Sequence, residues 1–121
     1  MAINRGEIFF VRLDPIVGRE IGGDKRRPVL VLSINDINRK PLVVTVVPGT
    51  GTTRPERAYR NEVIVPPTPR NGLRVPTTFL CHQIRAIDHA RFLDAPVGWI
   101  DPVDLHAIEA AVRFSLGLGA R

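Results

Sequence analysis

Glu20 lies in a basic loop that contains glycine, Arg27 stands immediately before the apolar run 28–33, and Thr50 and Thr52 follow the run 42–47. His82, Gln83 and Arg85 interrupt a third apolar stretch, 77–87. Polar groups carried at strand ends can converge on one site. This set holds an acid, guanidinium groups, hydroxyls and an imidazole. It suits attack of an RNA 2′-hydroxyl on its own phosphate. That reaction needs a base for the hydroxyl, a donor for the leaving oxygen and positive charge on the phosphate oxygens. It calls for no metal and no cofactor. The alternative is an ordinary solvated surface, since loops commonly carry these residue types.

Other chemistries lack their motifs. The chain has no phosphate-binding P-loop, no Gly-x-Gly-x-x-Gly after a strand and no Gly-x-Ser-x-Gly. His82, His89 and His106 lack metal-ligand spacing. Cys81 is the single cysteine, so an internal disulfide and a cysteine-based zinc site are excluded. Cys81 and His82 are neighbours on an expected strand and would point to opposite faces, which argues against a Cys–His nucleophile and for Cys81 as a small core residue.

Charge narrows the partner. The net charge of +5 is uneven. Residues 19–74 carry nine Arg and two Lys against five acids, net +6, whereas the segments before and after are close to neutral. Arginine offers a planar fork of donors that matches phosphate. A basic middle therefore fits a nucleic-acid backbone, with a solubilising surface as the equal alternative. Hydrophobic residues at 44% and charged residues at 24% describe a globular chain, and 121 residues predict one domain over 1–121. No apolar run reaches the ~18 residues of a membrane span, and no signal-peptide pattern opens the chain. A cytoplasmic location with no membrane partner is expected.

The elements that must position these groups are mostly strands. Expected strands cover 7–13, 28–33, 42–47 (ended by Pro48-Gly49), 62–65, 77–87 and 97–100. A polar loop spans 49–61. Asp101 as N-cap, Pro102 at the first turn, an Ile100–Leu105 staple and Gly117 and Gly119 at the end bound a helix. Leu105, Ile108, Val112 and Leu116 form its apolar face, with Glu109 and Arg113 opposite. Many short strands and one helix predict a mainly β fold: a small, bent antiparallel sheet or barrel with the C-terminal helix over one opening.

The chain resembles the MazF/PemK toxin family. The likeness lies in Arg5-Gly6-Glu7-Ile8-Phe9 through Leu13-Asp14-Pro15, Gly18-x-Glu20, Arg27-Pro28-Val29-Leu30-Val31-Leu32-Ser33, Val47-Pro48-Gly49-Thr50 and Gln83-Ile84-Arg85-Ala86-Ile87-Asp88, in that order. The resemblance implies an SH3-like barrel and a homodimer. It implies a metal-independent endoribonuclease, an mRNA interferase that cuts single-stranded RNA at short sequences to give a 2′,3′-cyclic phosphate and a 5′-hydroxyl. It also implies a cognate MazE-like antitoxin whose C-terminal part covers the RNA groove, and an acidic tail would suit the basic middle.

Carried over residue by residue, Arg27 would bind the scissile phosphate, Thr50 would hold a phosphate oxygen and Glu20 would be the base. The alternative for Glu20 is a loop acid paired with Arg19 or Arg26. Arg19, Lys25, Arg26, Thr52, His82, Gln83 and Arg85 complete the expected RNA-binding set. Three features depart from the family pattern. Ile21 stands where members often carry Gln. The segment from Glu20 to Arg27 is longer, with Lys25 and Arg26. His82 and Leu80 occupy the positions where one branch has a catalytic acid and an arginine. His82 could take up proton transfer or be buried or stack on a base. Arg85 is expected to share a structural role through Asp88, and Trp99 to lie in the core or a dimer interface.

Two other functions remain open on sequence. One is a protein-binding poison of DNA gyrase resembling CcdB, although the end Gly117-Leu118-Gly119-Ala120-Arg121 lacks that toxin's tryptophan near the C-terminus. The other is a noncatalytic RNA-binding module.

Overall fold

The apolar run after Arg27 makes a strand covered on both faces, and the sheet is built outward from it. A computed structural model describes residues 2–23, 25–40, 43–52 and 58–119. The elements are β1 (Glu7–Val11), β2 (Arg27–Val31), α1 (Asn35–Arg39), β3 (Val43–Gly51), β4 (Glu62–Val65), β5 (Thr77–Leu80), β6 (Arg85–Asp88), β7 (Gly98–Trp99) and α2 (Pro102–Leu116). Single 3₁₀ turns at Cys81–Gln83 and His89–Arg91 follow β5 and β6. The strand order is β4-β5-β3-β2-β1-β7, with β6 also paired to β3 and all pairs antiparallel. The result is a curled, mainly β half-barrel with a C-terminal helix.

Register explains the burial. Ile8, Leu30 and Val47 align across three strands on one face, and Phe9 with Val29 and Val31 with Val46 align on the other. The first set joins Phe79, Cys81, Ile108, Ala111 and Val112 in a core beneath α2. The second joins Leu13, Val44, Ile87 and Phe92 in a core on the opposite side. A strand buried on both faces has no polar alternation, hence the continuous apolar run of β2.

Three strand expectations change. Pro48-Gly49 does not end the third strand, which continues to Gly51. On one edge of β3, β6 pairs with Val43–Val46 and β5 with Gly49–Gly51. Val47 and Pro48 have no strand opposite them on that edge, so a residue without an N–H is tolerated there. The expected long strand 77–87 is correspondingly broken by the Cys81–Gln83 turn. The expected loop 49–61 thus starts later, and its residues 53–57 lie outside the described residues.

Helix α2 forms as expected, with different anchoring. Asp101 has extended backbone angles but makes no side-chain cap bond. Its carboxylate instead accepts from Thr68 Oγ1 at 2.7 Å. Glu109 pairs not with Arg113 but with Arg5, at 2.5 Å. Leu116 is half-exposed, and Ala111 takes its place on the buried face. Gly117 closes the helix in the left-handed conformation (φ 67°), where glycine carries no Cβ penalty. Trp99 is half-exposed rather than core. Among the described residues no helix is long and apolar enough to cross a membrane.

Candidate active site

Strand geometry places Arg27 and Thr50 together. Arg27 opens β2 and Thr50 lies near the end of the neighbouring β3. Arg27 Nη1 donates to Thr50 Oγ1 at 3.1 Å, and Arg27 Nε donates to the Gly22 carbonyl at 3.3 Å. Thr78 lies directly across from Thr50 and is buried. Among the described residues no carboxylate pairs with Arg27. A partly buried guanidinium held by neutral oxygens keeps its full charge for an anion.

Glycines permit this approach. A Cβ on Gly22 would stand 2.3 Å from Ile16 Cγ2 and 2.9 Å from the Leu13 carbonyl, so only glycine lets the loop turn its carbonyl to Arg27. A Cβ on Gly49 would stand 2.9 Å from Thr77 Cγ2 and 3.2 Å from the Phe79 ring, which explains the glycine before Thr50.

The loop whose Gly22 carbonyl meets Arg27 leads, through Ile21, to a cleft of about 570 Å³ lined by Arg19, Glu20, His82, Gln83, Arg85, Val17 and Ile84, which neither Arg27 nor Thr50 lines. Gln83 ties its two walls together: Oε1 accepts from Ile21 N at 2.6 Å, and Nε2 donates to the Arg19 carbonyl at 3.3 Å. Gln83 therefore bonds loop backbone with both ends of its amide. Glu20 is exposed and pairs with neither Arg19 nor Arg26. Its Oε1 accepts from Val17 N at 2.7 Å. Arg19 and Arg85 have no carboxylate partner among the described residues. Asp88 accepts from Ala90 N at 2.8 Å rather than holding Arg85, which corrects the expected structural pairing.

His82 is exposed, not buried, and its Nδ1 lies 2.6 Å from Asn61 Nδ2. Cys81 and His82 are divided by the 3₁₀ turn rather than by strand alternation. The turn leaves the cysteine in the core and the imidazole on the surface. Burial, with the Glu62 carboxylate as a smaller influence, pushes the Cys81 thiol up to about 12, so it is inert as a nucleophile near neutrality.

Not every expected residue joins the cleft. Arg26 turns away and pairs with Asp94. Lys25 is exposed and does not line this cleft. Thr52 bonds the Pro76 carbonyl through its backbone N–H at 2.9 Å. Sequence reasoning missed Asn61, whose contact with His82 spans a loop, and the steric role of Gly22. Among the described residues no three His, Cys, Asp or Glu side chains could hold a metal ion.

The family model for the PemK-like, MazF-like toxin of type II toxin–antitoxin systems matches residues 4–116. The chain belongs to this family. It is 31% identical to endoribonuclease EndoA of Bacillus subtilis (strain 168) over 118 residues, 98% of this chain and 97% of that one. It is 32% identical to endoribonuclease MazF9 of Mycobacterium tuberculosis (strain ATCC 25618 / H37Rv) over 121 residues, 96% and 98% of the two chains. The crystal structure of MazF from Deinococcus radiodurans superposes with a TM-score of 0.80 at 24% identity, covering 98% of this chain and 99% of that one. The half-barrel with its C-terminal helix is therefore the MazF fold.

Proposed function

We propose that this toxin is a sequence-specific endoribonuclease that cuts single-stranded RNA, mRNA in the first place, without a metal. The observation that carries the reading is the Arg27–Thr50 pair, 3.1 Å apart and free of any carboxylate among the described residues, joined through the Ile21–Gly22 loop to a cleft lined by Arg19 and Arg85. The endoribonuclease names of the two relatives support it.

In this reading the 2′-oxygen attacks its own phosphorus, the bond to the 5′-oxygen breaks, and the departing 5′-oxygen takes a proton from water in the open cleft. The products are a 2′,3′-cyclic phosphate and a 5′-hydroxyl. Arg27 stabilises the charge that develops on the non-bridging oxygens, and Thr50 holds one of them. A guanidinium is a poor acid, so Arg27 donates hydrogen bonds rather than a proton. Glu20 takes the 2′-hydroxyl proton after its carboxylate turns from Val17 N into the cleft. His82, Gln83, Arg85, Arg19, Lys25 and Thr52 contribute to RNA binding. The toxin works in the cytoplasm as a homodimer, and a cognate antitoxin with an acidic tail blocks the basic cleft.

Incubation of the purified protein with long RNA in excess EDTA tests this. Expected are fragments with cyclic-phosphate ends and recurrent sequence at the cut. Intact RNA at stoichiometric protein, or cutting that survives both Arg27→Ala and Thr50→Ala, overturns the reading.

A further inference from the structure

One row of side chains crosses the sheet where Arg27 meets Thr50. Thr50 on β3 pairs with Thr78 on β5, and Thr78 pairs with Ile64 on β4. Residues directly opposite each other in an antiparallel sheet share a face, with Cβ atoms ~4.5–5.5 Å apart. Strand alternation fixes which face this is. Phe79, next to Thr78, lies in the core beneath α2, and a Cβ on Gly49, next to Thr50, would meet the Phe79 ring. Thr50 and Thr78 therefore point away from α2. Val29, two residues after Arg27, lies in the opposite core, so Arg27 points the same way as both threonines.

Thr78 carries a hydroxyl that the fold leaves unused. The residue is 7% exposed, yet its side chain has no hydrogen-bond partner among the described residues. Its oxygen is not sealed in: among the described residues the one enclosed side-chain polar atom without a partner is His89 Nε2. A buried hydroxyl that bonds nothing costs stability, and valine would suit the same strand position without that cost. Such a group calls for a partner from outside the chain. The charge of the row names its chemistry. Thr50 Oγ1 already accepts from Arg27 Nη1, which leaves its own proton to donate. Two hydroxyl donors and one guanidinium on a single face suit a tetrahedral anion with two free oxygens. The half-buried Ile64 side chain closes the far end of the row and strengthens a hydrogen bond made beside it.

We propose that Thr78 is a third phosphate-binding group of the active site, whose hydroxyl donates to the non-bridging oxygen of the scissile phosphodiester that Thr50 does not hold. The proposal rests on the endoribonuclease reading. Negative charge grows on both non-bridging oxygens as the 2′-oxygen adds, and a donor fixed by strand pairing meets that charge without reorganising. Thr78 moves no proton.

The first test is independent of cleavage. Methyl NMR of the full chain is recorded during titration with inorganic phosphate. A saturable shift of the Thr78 methyl is expected, and it should vanish in Arg27→Ala. No shift at Thr78, or one unaltered in Arg27→Ala, overturns the proposal. The second test is cutting of long RNA. Thr78→Val should cut about 10–100-fold more slowly with a melting temperature no lower than that of the wild type, and Thr78→Ser should restore most of the loss. Unchanged cutting in Thr78→Val, or a loss that Thr78→Ser does not restore, overturns the proposal. Sulfur placed at each non-bridging oxygen of the cut in turn separates contact from packing. The ratio of the two rates should differ between wild type and Thr78→Val, and an equal ratio overturns the proposal. Wild-type protein that binds phosphate at Thr78 and cuts no RNA sinks the endoribonuclease reading, and with it the role in cleavage, but leaves Thr78 as an anion-binding group.

Discussion

Arg27 and Glu20 are seven positions apart, yet the fold holds them by different means. Arg27 and Thr50 sit on adjacent strands whose register is fixed by two buried cores. Glu20 and Arg19 sit on a loop fastened by the two hydrogen bonds of one glutamine. Strand-borne groups are pre-placed at no further entropic cost, whereas loop-borne groups depend on local bonds that can open. In the proposed mechanism the half that would stabilise the phosphate is therefore rigid, and the half that would transfer the proton is adjustable.

The comparison can be broken first at its rigid half. Arg27→Ala should lower cleavage by about 10²–10³-fold with the melting temperature nearly unchanged, because the side chain is half-buried and its partners are neutral. A small loss would mean that the strand pair is not where charge develops. The loop half is sharpened by Gln83→Leu, which removes both fastening bonds while filling similar space. Cleavage should fall about tenfold, and the amide of Ile21 should exchange faster with solvent. Unchanged exchange would show that the loop holds itself.

Gly22→Ala probes the joint between the halves. The added Cβ meets a backbone carbonyl at 2.9 Å, so a loss of about 1–3 kcal/mol is expected in chemical denaturation. The smallest effect concerns Cys81, which anchors the turn that presents His82 and Gln83. Its ordinary value of 9.0 is raised to about 12 in the fold, so the unfolded chain releases this proton first as pH rises. Stability should fall gradually between about 9 and about 12 relative to Cys81→Ala, whereas at neutral pH a thiol reagent should label the residue only after unfolding. Rapid labelling of the folded protein would place the turn outside the core.

Much of this was legible in the residue pattern because it depends on local rules. The β2 run and the α2 face at Leu105, Ile108 and Val112 read correctly, since burial periodicity follows from a backbone that alternates or winds with a fixed period. Pro48 and the 77–87 stretch misread for one shared reason. The edge of β3 changes partner there, and partner exchange leaves no local signal. Asp101 looked like a helix cap because aspartate usually caps, yet Thr68, 33 positions away, takes its carboxylate. Arg26 and Arg27 are chemically alike, and only the sheet separates their destinations.

The order of residues by itself determined which groups were available: a basic middle, an acid in a glycine loop, a guanidinium before a doubly buried strand and a hydroxyl after Val-Pro-Gly. Those choices are local, and steric and hydrophobic preferences a few residues long express them. Tertiary structure alone decided which groups meet. It joined Arg27 to Thr50, turned Glu20 onto its own loop and placed Asn61 against His82. Contacts between residues far apart in the chain depend on strand register, and register is settled only when both faces of the sheet are packed at once.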